Sequence, residues 1–347
     1  MIPSAPLLSS RGNVAPNRSR IVPCHRLCVQ QPTPGALVLT FPYRHGLLDP
    51  RPHSTAERHN ATLLGPSTLG VEVTEPVLAA RCGLGNIDPQ HRPGGGAIAA
   101  IEAAMDWPLP PPGTCLVTIR PDADAFGAMA VLSLRASGLP FTPPIRARIA
   151  QIARADCFAN GIWPGPRSLP ARADDIDEAG PGEQNLGALI GGLGDRALPV
   201  CRAVTATRDW IVSGVVPAEW HERAARAAKV LFAALQSGQV RVVEAEGGGT
   251  AIVEGCVPGA LRLGYRLAPV VVAVDCSARG DPPAPWRRMT VAQWQAGHMD
   301  LMRAAALLGC DEPGWGGAPG IIGSPQGKPC HRTVSAVLAV LNVCRTP

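Results

Sequence analysis

Strand-like and helix-like segments alternate along this chain from Thr68 onward, and this alternation limits the fold more than any other feature of the sequence. Residues 69–73 alternate in character as strands do, and residues 114–119 are rich in β-branched side chains. Residues 217–236 have the period of an amphipathic helix, with Pro217 at its start. The pattern predicts an α/β fold in two lobes, with a mainly parallel sheet flanked by helices in the N-terminal lobe and a smaller mixed α/β C-terminal lobe.

The length of 347 residues suits two domains better than one. Residues 1–60 are rich in Pro, Ser, Arg and His and contain no acidic residue before Asp49, so we expect a poorly structured N-terminal extension there. Residues 163–183 carry many Pro, Gly and Asp residues, which indicates a long loop. These features predict an N-terminal lobe over 61–200 and a C-terminal lobe over 215–347.

Composition excludes several classes of protein. Hydrophobic residues make up 46% of the chain and charged residues 17%, which is typical of a globular protein and not of a disordered one. The net charge of +5 is not gathered into a basic run, so long duplex DNA is not an expected partner. No apolar stretch reaches the length of a membrane helix, and the 11 cysteines show no paired spacing, so a soluble cytoplasmic protein without membrane contacts is predicted.

Two aspartates, Asp122 and Asp124, stand one residue apart where a predicted buried strand meets a helix. Carboxylates at the carboxyl end of a strand project into the crevice where open α/β sheets bind ligands. Two neighbouring carboxylates repel each other unless a cation neutralises them, so this pattern indicates a divalent metal site. The alternative is that one aspartate caps the helix N-terminus and the other is solvated.

Further acidic residues follow other predicted elements. Asp88 and His91 lie three residues apart, and both can face one site. Residues 94–96 are three glycines at a predicted helix start, where backbone N–H groups can hold a phosphate, although such a run is more often a turn. Asp156 ends a predicted helix that begins at Pro143, a position that opposes the helix dipole and therefore suggests a partner for its carboxylate.

A glycine-rich run over residues 314–327 is the candidate substrate loop. Successive backbone N–H groups in tight turns bind anions, and glycine lets a phosphate approach. Ser324 and Gln326 can add hydrogen bonds, Lys328 a positive charge, and Trp315 a ring for stacking on a base. The structural alternative is a plain connection in which Trp315 anchors the core.

Three segments together resemble the DHH phosphoesterase superfamily. Residues 120–128, Arg-Pro-Asp-Ala-Asp-Ala-Phe-Gly-Ala, resemble its first motif, His-x-Asn-Pro-Asp-x-Asp-x-x-Gly-Ser. Residues 87–91 resemble the Asp-His-His motif, and residues 314–327 resemble the glycine loop of the DHH-associated C-terminal domain. The chain departs from the family in having Thr118 and Arg120 at the first-motif His and Asn positions, in lacking the glycine-loop histidine, and in the reversed order of the first two motifs.

The resemblance implies a function and a set of site residues. The function is a metal-dependent phosphoesterase or phosphodiesterase that hydrolyses a small phosphorylated or nucleotide substrate with two Mn²⁺ or Mg²⁺ ions between the lobes. Asp88, His91, Asp122 and Asp124 would be the catalytic metal ligands, with Asp156 as a further ligand. The implied substrate-binding residues are Arg120, Trp315, Gly316, Gly317, Ser324, Gln326 and Lys328.

Two other hypotheses belong to different classes. One is a non-catalytic nucleotide-binding or scaffold protein that retains a DHH-like fold, which the threonine at the first-motif histidine position favours. The other is a structural protein whose Asp-rich turns are helix caps. The identity of the substrate and the oligomeric state have no signature in the sequence.

Overall fold

The structure, a computed structural model, describes residues 42–51, 53–90, 98–177, 181–195, 197–276, 278–279, 284–285, 287–325 and 328–346. Every described residue belongs to one compact unit, Leu39–Pro347. The predicted site residues His91 and Gln326, and the three glycines at 94–96, lie outside the described residues.

The first lobe is built on a parallel sheet with the spatial order β1-β4-β2-β3. Its strands are β1 (Arg44–Leu47), β2 (Thr68–Val71), β3 (Asn86–Ile87) and β4 (Cys115–Thr118). Every residue of β2 and β4 is buried, because these two strands lie in the middle of the sheet. Both strands fall where the sequence predicted them.

Helices cover this sheet and connect its strands. They are α1 (Ser54–Ala61), α2 (Pro76–Ala79), α3 (Ala100–Asp106), α4 (Ala123–Ala136), α5 (Pro143–Asp156), α6 (Pro181–Leu193) and α7 (Val200–Ser213). The buried face of α4 includes Gly127, where an added Cβ would lie 2.5 Å from Ile101 Cδ1. The missing side chain therefore lets α3 and α4 pack closely, which brings the N-terminal ends of both helices to one edge of the sheet.

The described part of the predicted N-terminal extension is folded, so the boundary at residue 60 is wrong. Strand β1 pairs with β4, and the pairing extends to a 2.8 Å hydrogen bond from Leu48 N to Thr118 O. Tyr43 and Leu48 are buried in the first lobe. Strand β1 lies at the edge of the sheet and is held largely by backbone hydrogen bonds. Its sequence, which contains Arg44 and His45, has no alternating apolar pattern from which a strand can be predicted.

The second lobe contains a six-stranded mixed sheet of order β11-β12-β10-β7-β6-β5. Strands β6 and β7 are parallel and the other pairs are antiparallel. The strands are β5 (Arg241–Glu244), β6 (Thr250–Glu254), β7 (Val270–Asp275), β10 (Arg288–Gln293), β11 (Gly316–Ala318) and β12 (Ile321–Gly323), and a separate two-stranded piece is formed by β8 (Ala278–Arg279) and β9 (Ala284–Pro285).

One long helix takes part in both lobes. This helix, α8 (Ala218–Gln236), places Trp220 in the core of the first lobe and Leu231 against the second sheet. The remaining helices are α9 (Leu261–Gly264), α10 (Leu301–Asp311) and α11 (Val334–Val343). Because α7 also packs into the first core, that lobe extends beyond the predicted end at residue 200. The α/β architecture in two lobes is confirmed, and no helix among the described residues is long and apolar enough to cross a bilayer.

Candidate active site

Glu72, directly after β2, is the most unusual side chain of the first lobe. It is only 1% exposed, and its Oε2 has no hydrogen-bond partner among the described residues. Its φ of 51° is uncommon for a non-glycine residue, and such backbone strain concentrates at functional sites. Burial raises its pKa to about 10, and repulsion from the carboxylates of Asp122, Asp124 and Asp156 adds to this effect.

Asp122 and Asp124 both reach this site from the start of α4, and both bind helix N-termini. Asp122 is the N-cap of α4, and its Oδ1 accepts a 3.0 Å hydrogen bond from Ala125 N. Asp124 accepts hydrogen bonds of 2.7 Å from Ala100 N and 2.9 Å from Ile101 N, at the first turn of α3. The capping alternative is therefore what the structure shows for Asp122, and Asp124 is buried at a second helix rather than solvated.

Burial and neighbouring charge act on both aspartates. Desolvation is the largest effect and raises the pKa of each carboxyl, and repulsion from Asp156 raises both further. The backbone hydrogen bonds and, for Asp122, the guanidinium of Arg120 lower the pKa in part. The site is thus a place where several carboxylates are held close together with little compensating positive charge.

Asp156 ends α5 and belongs to the same site. Gln90, which follows β3, donates a 2.6 Å hydrogen bond from Nε2 to Asp156 Oδ2, and the same nitrogen lies 3.2 Å from Cys157 Sγ. The negative charge of Asp156 raises the pKa of Glu72 as well as that of the two α4 aspartates. We call Glu72, Asp122, Asp124 and Asp156 the acidic cluster.

Asp88 lies at the same edge of the sheet. Val71 is opposite Ile87 in the β2–β3 register, so Glu72 and Asp88 each follow a matched pair at the carboxyl ends of neighbouring strands. Asp88 is buried. The structure therefore places Asp88, Asp122 and Asp124 at one edge of one sheet, where open α/β folds bind their ligands.

The predicted metal coordination sphere is not formed by the described residues. No group of three or more His, Cys, Asp or Glu side chains in that part of the chain is arranged to hold a metal ion. Part of the physical reason is that both oxygens of Asp124 accept hydrogen bonds from backbone N–H groups of α3, and that Oδ1 of Asp122 accepts one from α4. The first N–H groups of α3 are thereby occupied by Asp124, whereas the glycines at 94–96, which the sequence suggested for a phosphate, lie outside the described residues.

The donor chemistry of the acidic cluster nevertheless suits a hard divalent cation. Carboxylate oxygens are the ligands that Mg²⁺ and Mn²⁺ prefer. A buried carboxylate oxygen without a partner is expensive, and either a proton or a cation removes that cost. Glu72 Oε2 is such an atom, so the cluster can take up positive charge in either form.

The glycine-rich run forms the β11–β12 hairpin at the edge of the second sheet. Two of its predicted substrate contacts are wrong, because both side chains are structural. Trp315 is 8% exposed, and its Nε1 donates a 2.8 Å hydrogen bond to Glu312 Oε2, so it anchors the core. Ser324 is 4% exposed, and its Oγ accepts a 3.0 Å hydrogen bond from Met289 N.

Three of the predicted substrate residues in and next to this run, Gly316, Gly317 and Lys328, are exposed. Gly317 has a φ of 152°, and an added Cβ there would lie 2.2 Å from Ile321 O, so the hairpin itself requires glycine at this position. This requirement is conformational and does not depend on a ligand.

The turn of the hairpin packs against the chain that follows Asp156. An added Cβ on Gly320 would lie 2.6 Å from Phe158 Cβ, and Phe158 has a φ of 53°. The next residues bind the second lobe through a bridge between Ala159 and Gln295 and a 2.8 Å hydrogen bond from Asn160 Nδ2 to Trp294 O. The second lobe therefore packs against, and is hydrogen-bonded to, a segment of the first lobe that begins two residues after Asp156.

Sequence reasoning missed Glu72 and Gln90. A usable signal for Glu72 is that it is the single charged residue in the otherwise apolar run Leu69–Val73, so a buried strand carries it into the fold. Gln90 has no comparable signal, because its partner Asp156 lies far away in the sequence.

Comparisons with known proteins assign neither a family nor a function to the chain. No protein-family profile and no curated protein matches the chain. Among solved structures it is similar to the pGpG-specific phosphodiesterase PggH from Vibrio cholerae, with 11% sequence identity over 65% of this chain and 76% of that chain and a TM-score of 0.38. A similarity this low assigns no function to the present chain.

Proposed function

We propose that this protein is a divalent-metal-dependent phosphohydrolase acting on a small phosphorylated or nucleotide substrate. The observation that supports this most is Glu72, a buried carboxylate with an unpartnered oxygen among three aspartates at the carboxyl edge of a parallel sheet. Such a concentration of desolvated negative charge is characteristic of sites that bind cations and carry out chemistry.

In this proposal the acidic residues have two roles, cation binding and helix packing. Glu72, Asp122 and Asp156 hold the cation through carboxylate oxygens, Asp88 supplies a further acidic side chain at the same edge, and Asp124 fixes α3 against α4. Mn²⁺ or Mg²⁺, as one ion or a pair, supplies the Lewis acidity that polarises a phosphoryl oxygen and a water molecule.

One other residue, Arg120, and the proton carried by Glu72 complete the proposed site. The guanidinium of Arg120, whose charge acts on Glu72 and Asp122, would bind a phosphate oxygen. Glu72 keeps a proton at neutral pH when no cation is present, and it gives up that proton when a cation binds.

A second candidate is a non-catalytic nucleotide-binding or scaffold protein. The observation that favours it is that Asp122 and Asp124 already serve as helix caps. With Glu72 protonated, the acidic cluster is then stable without a cation.

Hydrolysis and metal binding measured separately distinguish the two. For the enzyme, full-length protein should hydrolyse bis(p-nitrophenyl) phosphate or a member of a nucleotide panel only with Mn²⁺ or Mg²⁺. The change Glu72→Gln should lower that rate about a hundredfold or more and remove the rise in Tm caused by Mn²⁺. The exposed Glu246 supplies the matched control Glu246→Gln, which should behave as wild type.

The contrary results are equally clear. Absence of hydrolysis together with a rise in Tm on adding nucleotide indicates the binding protein. Absence of hydrolysis, of metal stabilisation and of nucleotide stabilisation removes both candidates.

A further inference from the structure

Two cysteines that are far apart in the sequence lie side by side in the second lobe. Strands β6 and β7 are parallel, with Glu254 opposite Val274, and the ladder continues with a 3.0 Å hydrogen bond from Gly255 N to Val274 O. The same register carried two residues further brings Cys256 level with Cys276. Both cysteines are reduced and exposed to solvent.

The electrostatics of Cys256 agree with this register. A hydrogen bond with the carboxylate of Asp275 raises the pKa of the Cys256 thiol, and a hydrogen bond with the Cys276 backbone lowers it in part.

The spacing of the strands suits a covalent link. Neighbouring strands lie about 4.8 Å apart, and disulfides join residues whose Cα atoms are about 4.4 to 6.8 Å apart. Residues that are level on neighbouring strands therefore have Cα atoms within the range that a disulfide can span.

We propose that Cys256 and Cys276 form a redox-active dithiol that is converted to an intramolecular disulfide by exchange with a small-molecule disulfide such as oxidised glutathione. In the first step one cysteine thiolate attacks the glutathione disulfide, forms a mixed disulfide and releases one glutathione thiolate. In the second step the other cysteine thiolate attacks the protein sulfur of that mixed disulfide and releases the second glutathione. The two protein sulfurs are oxidised, glutathione disulfide is reduced, and the two thiol protons leave to solvent.

The surroundings of Cys256 disfavour it as the first attacking thiol. Desolvation and the carboxylate of Asp275 raise the pKa of Cys256, which reduces its thiolate fraction at neutral pH. In the proposed sequence Cys276 attacks the small disulfide first, and Cys256 resolves the mixed disulfide.

Tryptic mapping tests the pair cleanly, because the cleavage sites isolate each cysteine. Cys256 is the single cysteine of the peptide 242–262, and Cys276 is the single cysteine of the peptide 267–279. After incubation of full-length native protein with oxidised glutathione and alkylation, mass spectrometry should find these two peptides cross-linked. The cross-link should disappear on treatment with dithiothreitol.

Variants identify the role of each sulfur. Cys256→Ser should lose the cross-link and accumulate glutathione on Cys276, since the resolving thiol is gone. Cys310→Ser, which removes an exposed cysteine of α10, should leave the cross-link unchanged. In wild type the oxidised form should also melt at a higher temperature than the reduced form, because the new bond closes the loop between β6 and β7, and Cys256→Ser should lose that difference.

Glutathione adducts on Cys256 and Cys276 without a cross-linked peptide in native wild-type protein would overturn the proposal. So would a cross-link that forms only after the protein is unfolded in denaturant, because the fold would then not be what pairs the two thiols.

Discussion

At the scale of single residues, the acidic cluster is governed by the balance between burial and charge. Glu72 has too little water around it to remain ionised easily, and three aspartates oppose its ionisation further. Binding of a proton or of a cation removes the cost of this buried negative charge. Proton binding weakens as pH rises, whereas cation binding strengthens. A carboxyl whose pKa is raised in the folded state stabilises the fold in its protonated form and loses that contribution as pH rises.

We predict that this loss is measurable in metal-free protein. The pKa of Glu72 is raised to about 10 in the fold from its ordinary value of 4.5, so the stabilising contribution of its protonated form is complete below the ordinary value and is lost progressively as pH rises between the two values. Glu72→Gln removes the titration, and its stability relative to wild type should rise by roughly 1 kcal/mol per pH unit between pH 5 and 8.

Denaturant unfolding in the presence of a chelator measures this difference directly. A stability difference that stays constant over the same pH range would show that Glu72 is ionised in the fold. If the cluster binds the cation, addition of Mn²⁺ should raise the free energy of unfolding of wild type more than that of Glu72→Gln.

At the scale of elements, the same aspartates join helices to one another. Asp122 caps its own helix, α4. Asp124, in the first turn of α4, accepts hydrogen bonds from backbone N–H groups in the first turn of α3. Helix N-termini favour negative charge, so these contacts combine a hydrogen bond with a favourable dipole interaction. The short distance between α3 and α4, which Gly127 permits, is what lets one carboxylate reach both N–H groups.

Amide substitutions separate the two roles. Asn remains a good N-cap, so Asp122→Asn should change the free energy of unfolding by less than about 0.5 kcal/mol. Asp124→Asn replaces one acceptor with a donor that faces a backbone N–H, and it should destabilise the protein by about 1 to 3 kcal/mol. Urea unfolding of both variants is the measurement, and equal effects would contradict the capping role of Asp124.

At the scale of the whole molecule, the two lobes meet next to the acidic cluster. The Gly320 turn of the second lobe lies against Phe158, two residues beyond Asp156. A change at this contact should therefore affect both the stability of the lobe junction and the position of Asp156.

A pair of glycine substitutions tests the junction. Gly320→Ala places a Cβ 2.6 Å from Phe158 Cβ, and overpacking of this kind should cost about 1 to 3 kcal/mol of stability. Gly316→Ala, in the same hairpin, has no atom within 4 Å of the added Cβ and should be neutral within about 0.5 kcal/mol. Thermal unfolding compares them, and equal Tm values for the two variants would show that the junction yields without strain.

Local patterns in the sequence were sufficient to predict the α/β class, the central strands β2 and β4 of the first sheet, and the long helix α8. Their signals are periodicity, β-branching and helix-start residues, all of which lie within one segment. The position of Asp122 and Asp124 at a strand-to-helix junction was likewise readable, together with the capping alternative.

Strand order and register determine the contacts between separate segments, which the sequence did not predict. They place Glu72 beside the α4 aspartates, bring Gln90 to Asp156, bury Trp315 and Ser324, and set Cys256 next to Cys276. Each of these relations joins residues from separate segments, so no local pattern contains it. The sequence determined which elements form, whereas the tertiary structure alone determined which side chains share a buried site, because desolvation and charge act through space rather than along the chain.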